Sequence, residues 1–301
     1  MTKNCKSSGV VRERKTKFIE LFRTTPPKNV CPNFFVLSHA NGCAFQPHCD
    51  YCYLKSTFWH KRGAEVFSNV ETMVQEVRKW IALDGLESTI LNSGNLSDSL
   101  VFERIRPMIP QLVDVFREAE TAGRPHALLF VTKGGRDECR PIMKLKPCRN
   151  VIVSFSINNS EIAARYERGA APTADRLAAA RELREAGWRV RIRIDPMFLG
   201  ADYRPLAEEV RKLAPERLTL GSLRAEPHLL HVSHEPMFDA LEPAAEPKAL
   251  ARYPLAARLE MYASVLDIMR DVCPAGLCEE TRAVWDALGL DADAKSCNCG
   301  S

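Results

Sequence analysis

No run of 18 apolar residues occurs in this chain, so no helix of membrane-spanning length is expected. The opening stretch "MTKNCKSSGVVRERKTK" lacks the apolar centre of a secretory signal, which points to a cytoplasmic setting. In that compartment the 11 cysteines argue for metal or redox chemistry more than for disulfides. Net charge is also small, +4 over 301 residues, but it is unevenly placed. Residues 1–30 hold eight lysines and arginines against Glu13 and Glu20, a local +6, so the remainder carries −2. This basic arm is read as a solvated N-terminal segment, with contact to nucleic acid as the alternative. Beyond an alternation of strand-like and helix-like segments, no internal repeat is visible.

A further absence concerns the loop "GCAFQPHCDYCYLKS". It holds Cys43, Cys49 and Cys52 but no fourth cysteine. A structural zinc takes four ligands, and disulfides consume cysteines in pairs. Three thiols suit a [4Fe–4S] cluster with one iron left open, since thiolates are the usual ligands of such clusters. The alternative is a zinc knuckle completed by His48 or His39, in a nucleic-acid-binding protein without catalysis.

Apolar runs of strand length occur at "FFVLS" (34–38), "TILN" (89–92), "ALLFVT" (127–132), "VIVSFSI" (151–157), "VRIRI" (190–194) and "RLTL" (217–220). Segments of helical period separate them, over 70–83, 102–122, 173–186 and 205–213. The pattern predicts an α/β fold, a partial parallel (β/α)6 barrel occupying residues 31–224. Chemistry in such barrels sits at the carboxyl ends of the strands, and the cysteine loop follows the first strand directly. Residues 225–301 read as a C-terminal extension: an irregular stretch, a helix over 255–271, and a cysteine-rich tail.

The cysteine spacing, Cys-x5-Cys-x2-Cys with Tyr51 before the last thiol, resembles the cluster loop of radical S-adenosylmethionine (SAM) enzymes. Four stretches in order resemble the spore photoproduct lyase-like branch of that superfamily: "CDYCYLKS", "NSGNLSDSL", "FVTK", and "FSIN" with the following "RYERGAAPTADRLAAARELREAGW". The resemblance covers about residues 34–200. It implies that SAM binds the open iron and is cleaved reductively to a 5′-deoxyadenosyl radical, which abstracts hydrogen from a substrate. It implies Ser97, Asp98, Lys133, Ser156 and Asn158 as SAM contacts, with Tyr51 and Tyr53 packed near SAM as candidate radical relays. DNA or a nucleotide is the implied substrate class, and a flavodoxin or ferredoxin the kind of electron donor expected. One departure stands out. The lyase carries a cysteine just after its second strand that returns hydrogen to the product, whereas no cysteine lies between Cys52 and Cys139 here.

The tail adds Cys273, Cys278, Cys297 and Cys299, a full set for a second [4Fe–4S] cluster or for zinc. It is expected near the open end of the barrel. Cys5, Cys31, Cys139 and Cys148 lack ligand spacing and are read as structural. His228, His231 and His234 recur every three residues and are read as part of a substrate-facing loop, with metal binding as the alternative.

Overall fold

The computed structural model describes residues 9–23, 25–26, 28–244 and 246–300. Cys5 and the basic residues Lys3 and Lys6 lie outside the described residues. Seven parallel strands form the central sheet in chain order. They are β1 (Phe35–Leu37), β2 (Ile90–Asn92), β3 (Ala127–Thr132), β4 (Val151–Ser156), β5 (Arg189–Met197), β6 (Arg217–Ser222) and β7 (Ala275–Leu277). A short strand, Ile19–Leu21, adds antiparallel to the outer edge of β1. Because the strand order never reverses, every crossover passes on the same side, which is the winding of a β/α barrel and not of a doubly wound sheet. The two edges do not pair with each other, so the barrel is open. The expected α/β partial barrel is thus present, with one strand more than expected. β7, Ala275–Leu277, sits between Pro274 and Cys278 with Gly276 at its centre, so no apolar run marks it in sequence.

Alternation along the strands separates the two faces. Leu128, Phe130, Val151, Val153 and Phe155 join the helix-facing core. Ala127, Leu129, Val131 and Ile152 join Phe34, Val36 and Ile90 in a smaller apolar group on the other face, inside the barrel. On β5 the same alternation sends Val190, Ile192 and Ile194 to the helices. The arginines between them face inward, so the interior changes from apolar on β1–β4 to charged on β5 and β6.

The helix expected over 102–122 begins only at Ile109. The buried Glu103 accepts from the backbone N–H groups of Met108 (2.9 Å) and Ile109 (3.2 Å), satisfying donors that a helix start leaves free. The helix Thr173–Glu185 ends as its sequence predicts, with Gly187 at φ +94°, where a left-handed residue closes the last turn. The described residues of the basic arm are part of the folded body. Gly9–Arg12 pairs with Ala64–Phe67, which pairs with Ala40–Asn41, so a small sheet brackets the cysteine loop. Residues 225–254 include a helix, Pro227–Val232, with Pro227 at its first position.

Candidate active site

The cysteine loop lies at the carboxyl end of β1, against the residues that follow β3 and β4. Cys43, Cys49 and Cys52 are close enough that each thiol bears electrostatically on another. Burial pushes Cys49 up to about 12, and Lys133 opposes that rise. Burial likewise raises Cys43 well above the ordinary thiol range and raises Cys52. Left alone, such thiols stay protonated; a metal centre takes them as thiolates and releases the protons. Among the described residues, no three His, Cys, Asp or Glu side chains are grouped to hold one metal ion. A cluster several atoms wide draws on ligands set further apart than those of one ion.

The loop is held by backbone contact as well as by charge. A Cβ on Gly169 would lie 2.2 Å from the Pro47 carbonyl oxygen and 2.6 Å from the Gln46 carbonyl carbon, so only glycine lets the "ERG" turn approach. Asp50 N–H donates to the Tyr166 carbonyl (2.9 Å) across the same contact. Three thiols beside Lys133, in a cradle that a side chain would fill, fit a thiolate-bound cluster.

Glu167 is the hub beneath them. It is buried and forms an ion pair with the fully buried Arg176 at 2.5 Å. It also accepts from the Tyr51 hydroxyl, from Asn158 Nδ2 (3.4 Å), and lies 3.9 Å from Lys133 Nζ. Burial alone would raise its pKa, but Lys133, Arg176 and the Tyr51 hydroxyl hold it below the ordinary carboxylate range. Sequence reasoning passed over Glu167. Its only signal was a single acid between Tyr166 and Arg168 just ahead of a helix.

The sequence-predicted contacts fall into two groups. Lys133 reaches the site with its side chain mostly buried, its Nζ 5.8 Å from the centroid of the Tyr51 ring. Tyr51 also packs edge-on against Phe198 at 5.5 Å. The others are committed to the protein. Asp98 accepts from Thr132 Oγ1 (3.0 Å) and from the N–H groups of Leu100 (3.0 Å) and Lys133 (2.8 Å), tying the segment after β2 to the end of β3. Burial raises its pKa to about 6 despite these donors. Ser97 Oγ donates to the Asp98 carbonyl (3.1 Å). Asn158 donates to the Pro196 carbonyl (2.9 Å) and to Glu167, and accepts from Tyr203 (2.9 Å) and Asn159 N–H (2.9 Å), which fills its capacity. Ser156 is buried at the end of β4, where its carbonyl accepts from Arg176 (3.0 Å). Tyr53 is 46% exposed, and its hydroxyl donates to the Asn95 carbonyl.

The histidines considered for zinc are otherwise engaged. Buried His39 faces Arg106 Nη2 at 2.9 Å, and burial with that arginine lowers its pKa well below the usual value. His48 pairs with Gln46 at the surface (3.0 Å). His228, on the helix Pro227–Val232, meets Ser56 Oγ at 2.8 Å and lies edge-on to Trp59 and tilted beside His231. That helix packs against Leu54–Thr57, directly after the cysteine loop.

The tail departs from its expected position. It enters the barrel from the end where the strands start. Arg191 Nη1 donates to the carbonyls of Asn298 (2.6 Å) and Gly300 (2.8 Å), and Arg217 Nη1 to those of Cys297 and Gly300 (3.0 Å each). Ser154 Oγ on β4 donates to Asn298 Oδ1 (2.7 Å). Cys273 lies apart, lining a surface hollow with Leu266, Arg270, Val272 and Leu290. Cys139 and Cys148 are buried in the helix-facing core.

Comparison with known proteins places this geometry in a family. Residues 2–222 match the spore photoproduct lyase family. The chain belongs to that family. Curated relatives named spore photoproduct lyase include those of Bacillus subtilis, 24% identical over 218 residues, and Geobacillus sp., 26% identical over 196 residues. Another, from Clostridium acetobutylicum, is 22% identical over 184 residues. These matches cover 71%, 65% and 61% of this chain but only 59%, 53% and 52% of the respective relatives. The fold is likewise that of solved spore photoproduct lyases. One mutant with bound AdoMet and dinucleoside spore photoproduct superposes with a TM-score of 0.70 at 20% identity, covering 92% of this chain and 83% of that one. Among the described residues, no helix is long and apolar enough to cross a membrane.

Proposed function

We propose that this chain is a radical SAM enzyme that reductively cleaves SAM at a cluster held by Cys43, Cys49 and Cys52 and abstracts hydrogen from a substrate. The observation that carries this reading is the convergence of three thiols beside Lys133, Tyr51 and Glu167 at the carboxyl end of a barrel strand, in a chain of this family. When bound there, a [4Fe–4S] cluster with one open iron supplies the electron that splits SAM. Lys133 provides the cation for the carboxylate of SAM, in place of its 3.9 Å contact with Glu167. Glu167 orients Lys133, Arg176 and the Tyr51 hydroxyl. Tyr51 covers the site as the better-placed relay candidate, while the more exposed Tyr53 is tied to the Asn95 carbonyl. Ser97, Asp98, Ser156 and Asn158 support the pocket through the bonds described above, which leaves Lys133 as the direct SAM contact among the five expected.

A DNA lesion or a nucleotide is the substrate class proposed, supported by what the relatives are named for and by the basic N-terminal segment. The missing hydrogen-returning cysteine sets this chain's chemistry apart from lyase turnover by that route. A reductant such as a flavodoxin or ferredoxin and a cytoplasmic setting complete the proposal, together with a second cluster on the tail thiols Cys278, Cys297 and Cys299. The zinc-stabilised binding module finds no support in the family match. Lys133→Ala tests the pocket: iron content should stay intact while SAM affinity falls by about 1.5–3 kcal/mol, the worth of a charge-assisted hydrogen bond. Unchanged affinity in a calorimetric titration would undo the assignment.

A further inference from the structure

We infer that Cys31, Cys278, Cys297 and Cys299 together hold a second iron–sulfur cluster, with Cys31 as the ligand that the tail itself does not supply. This rests on the tail cluster proposed above and names its fourth ligand. Cys31 lies some 250 residues from the others in sequence, and three contacts of the fold bring it to them.

The first contact is a strand pairing. Asn29–Val30 pairs antiparallel with Glu280–Thr281, Val30 opposite Glu280 and Asn29 opposite Thr281. Extending that register by one residue sets Cys31 opposite Glu279, next to Cys278. Glu279 has φ +52°, so the chain turns there and Cys278 leaves the pairing at the end where Cys31 does. The second contact joins Cys278 to the tail. A Cβ on Gly276 would lie 2.5 Å from the Ser296 carbonyl carbon and 2.6 Å from the Cys297 nitrogen, so backbone meets backbone two residues before Cys278. The third closes the ring. Cys31 and Cys299 pack against the same apolar group inside the barrel, and only Asn298 separates Cys299 from Cys297.

The surroundings suit bound thiolates. Arg224 Nη2 lies 3.1 Å and Arg193 Nη2 3.6 Å from Cys278 Sγ, and Asn92 Nδ2 lies 3.7 Å from Cys299 Sγ. Arg193 Nε is buried without a hydrogen-bond partner among the described residues. Both arginines also pair with Asp195, and Arg224 with Glu279, so what they offer a thiolate at Cys278 is directed N–H donors held in place by those carboxylates. Cys273, on the outer surface of the barrel, has none of these contacts.

The test uses full-length chain reconstituted anaerobically with iron and sulfide, with Cys43, Cys49 and Cys52 all replaced by Ala so that only the second site can load. This triple variant should retain about four irons and matching acid-labile sulfide per chain. Adding Cys31→Ala should remove that iron, whereas adding Cys273→Ala should leave it in place. Circular dichroism and the unloaded melting temperature show whether each variant is folded; Cys31→Ser serves if Cys31→Ala is not. Retention of iron in a folded Cys31→Ala or Cys31→Ser variant, with loss in Cys273→Ala, would overturn the ligand assignment and leave the tail cluster standing. A triple variant holding no iron, or zinc alone, would overturn the tail cluster as well.

Discussion

Replacing Glu167 by Gln removes one negative charge from the centre of the site and keeps its shape. Both members of the Glu167–Arg176 pair are within about a hundredth of full burial, so water cannot compensate the arginine that remains. Breaking a buried pair by removing one partner costs about 3–5 kcal/mol. Glutamine still accepts from Arg176, and Arg176 keeps its bonds to the carbonyls of Ala171 (2.6 Å) and Ser156 (3.0 Å), which favours the lower end, about 3 kcal/mol. At about 2 °C per kcal/mol for a chain of this size, the melting temperature should fall by about 6 °C. The pH dependence has a defined sign. Glu167 is held below its ordinary pKa, so its stabilisation is present above the unfolded carboxylate range and is lost as pH falls; Glu167→Gln should flatten that acid limb. Scanning calorimetry of Glu167→Gln, Arg176→Gln and the double variant should give a coupling of about 1–3 kcal/mol. Independent, additive effects, or a Glu167→Gln protein melting with the wild type, would refute the idea that this carboxylate anchors the site.

Two further outcomes follow from the same geometry. Gly169→Ala should force the 46–47 backbone away, lowering stability by about 1–3 kcal/mol and reducing loop-bound iron after reconstitution; wild-type iron content would contradict the close approach. Glu216, whose pKa is brought down to about 2 against the effect of burial by Arg189 and Arg191, should contribute about 3 kcal/mol above pH 4.5, lost as pH falls toward 2. Acid titration of Glu216→Gln should lack that loss and should show a loosened tail, because Arg191 is the link from Glu216 to Asn298 and Gly300.

Six of the seven parallel strands were legible, from apolar runs such as "FFVL" and "ALLFV" or from the alternation of "VRIRI" and "RLTL". The placement of Arg191 and Arg193 on the inward face of β5 follows from that alternation only once the sheet is known. The cysteine loop stood out in the sequence because its three thiols are local. What escaped the sequence depends on contacts between distant segments. Glu167 gains its role from Arg176, Lys133 and Tyr51, which only the fold collects. Asn158 and Asp98 looked like free strand-end polar groups, whereas their hydrogen-bonding capacity is largely used within the protein. The tail was expected at the open end of the barrel because sequence order carries no depth. Its seat is set by Arg191, Arg217 and Ser154, whose inward direction follows from the strand register. Cys31 lacked a neighbouring cysteine in sequence, and its neighbours arrive through a two-residue strand pairing.

The most direct measurement is reductive cleavage of SAM by the anaerobically reconstituted chain under dithionite, with 5′-deoxyadenosine quantified by chromatography. Radical chemistry at the loop predicts 5′-deoxyadenosine from the wild type and none from the variant with Cys43, Cys49 and Cys52 replaced by Ala, whatever iron the tail thiols bind. Formation of 5′-deoxyadenosine at the same rate in both, or in neither despite a fully loaded loop, would contradict it.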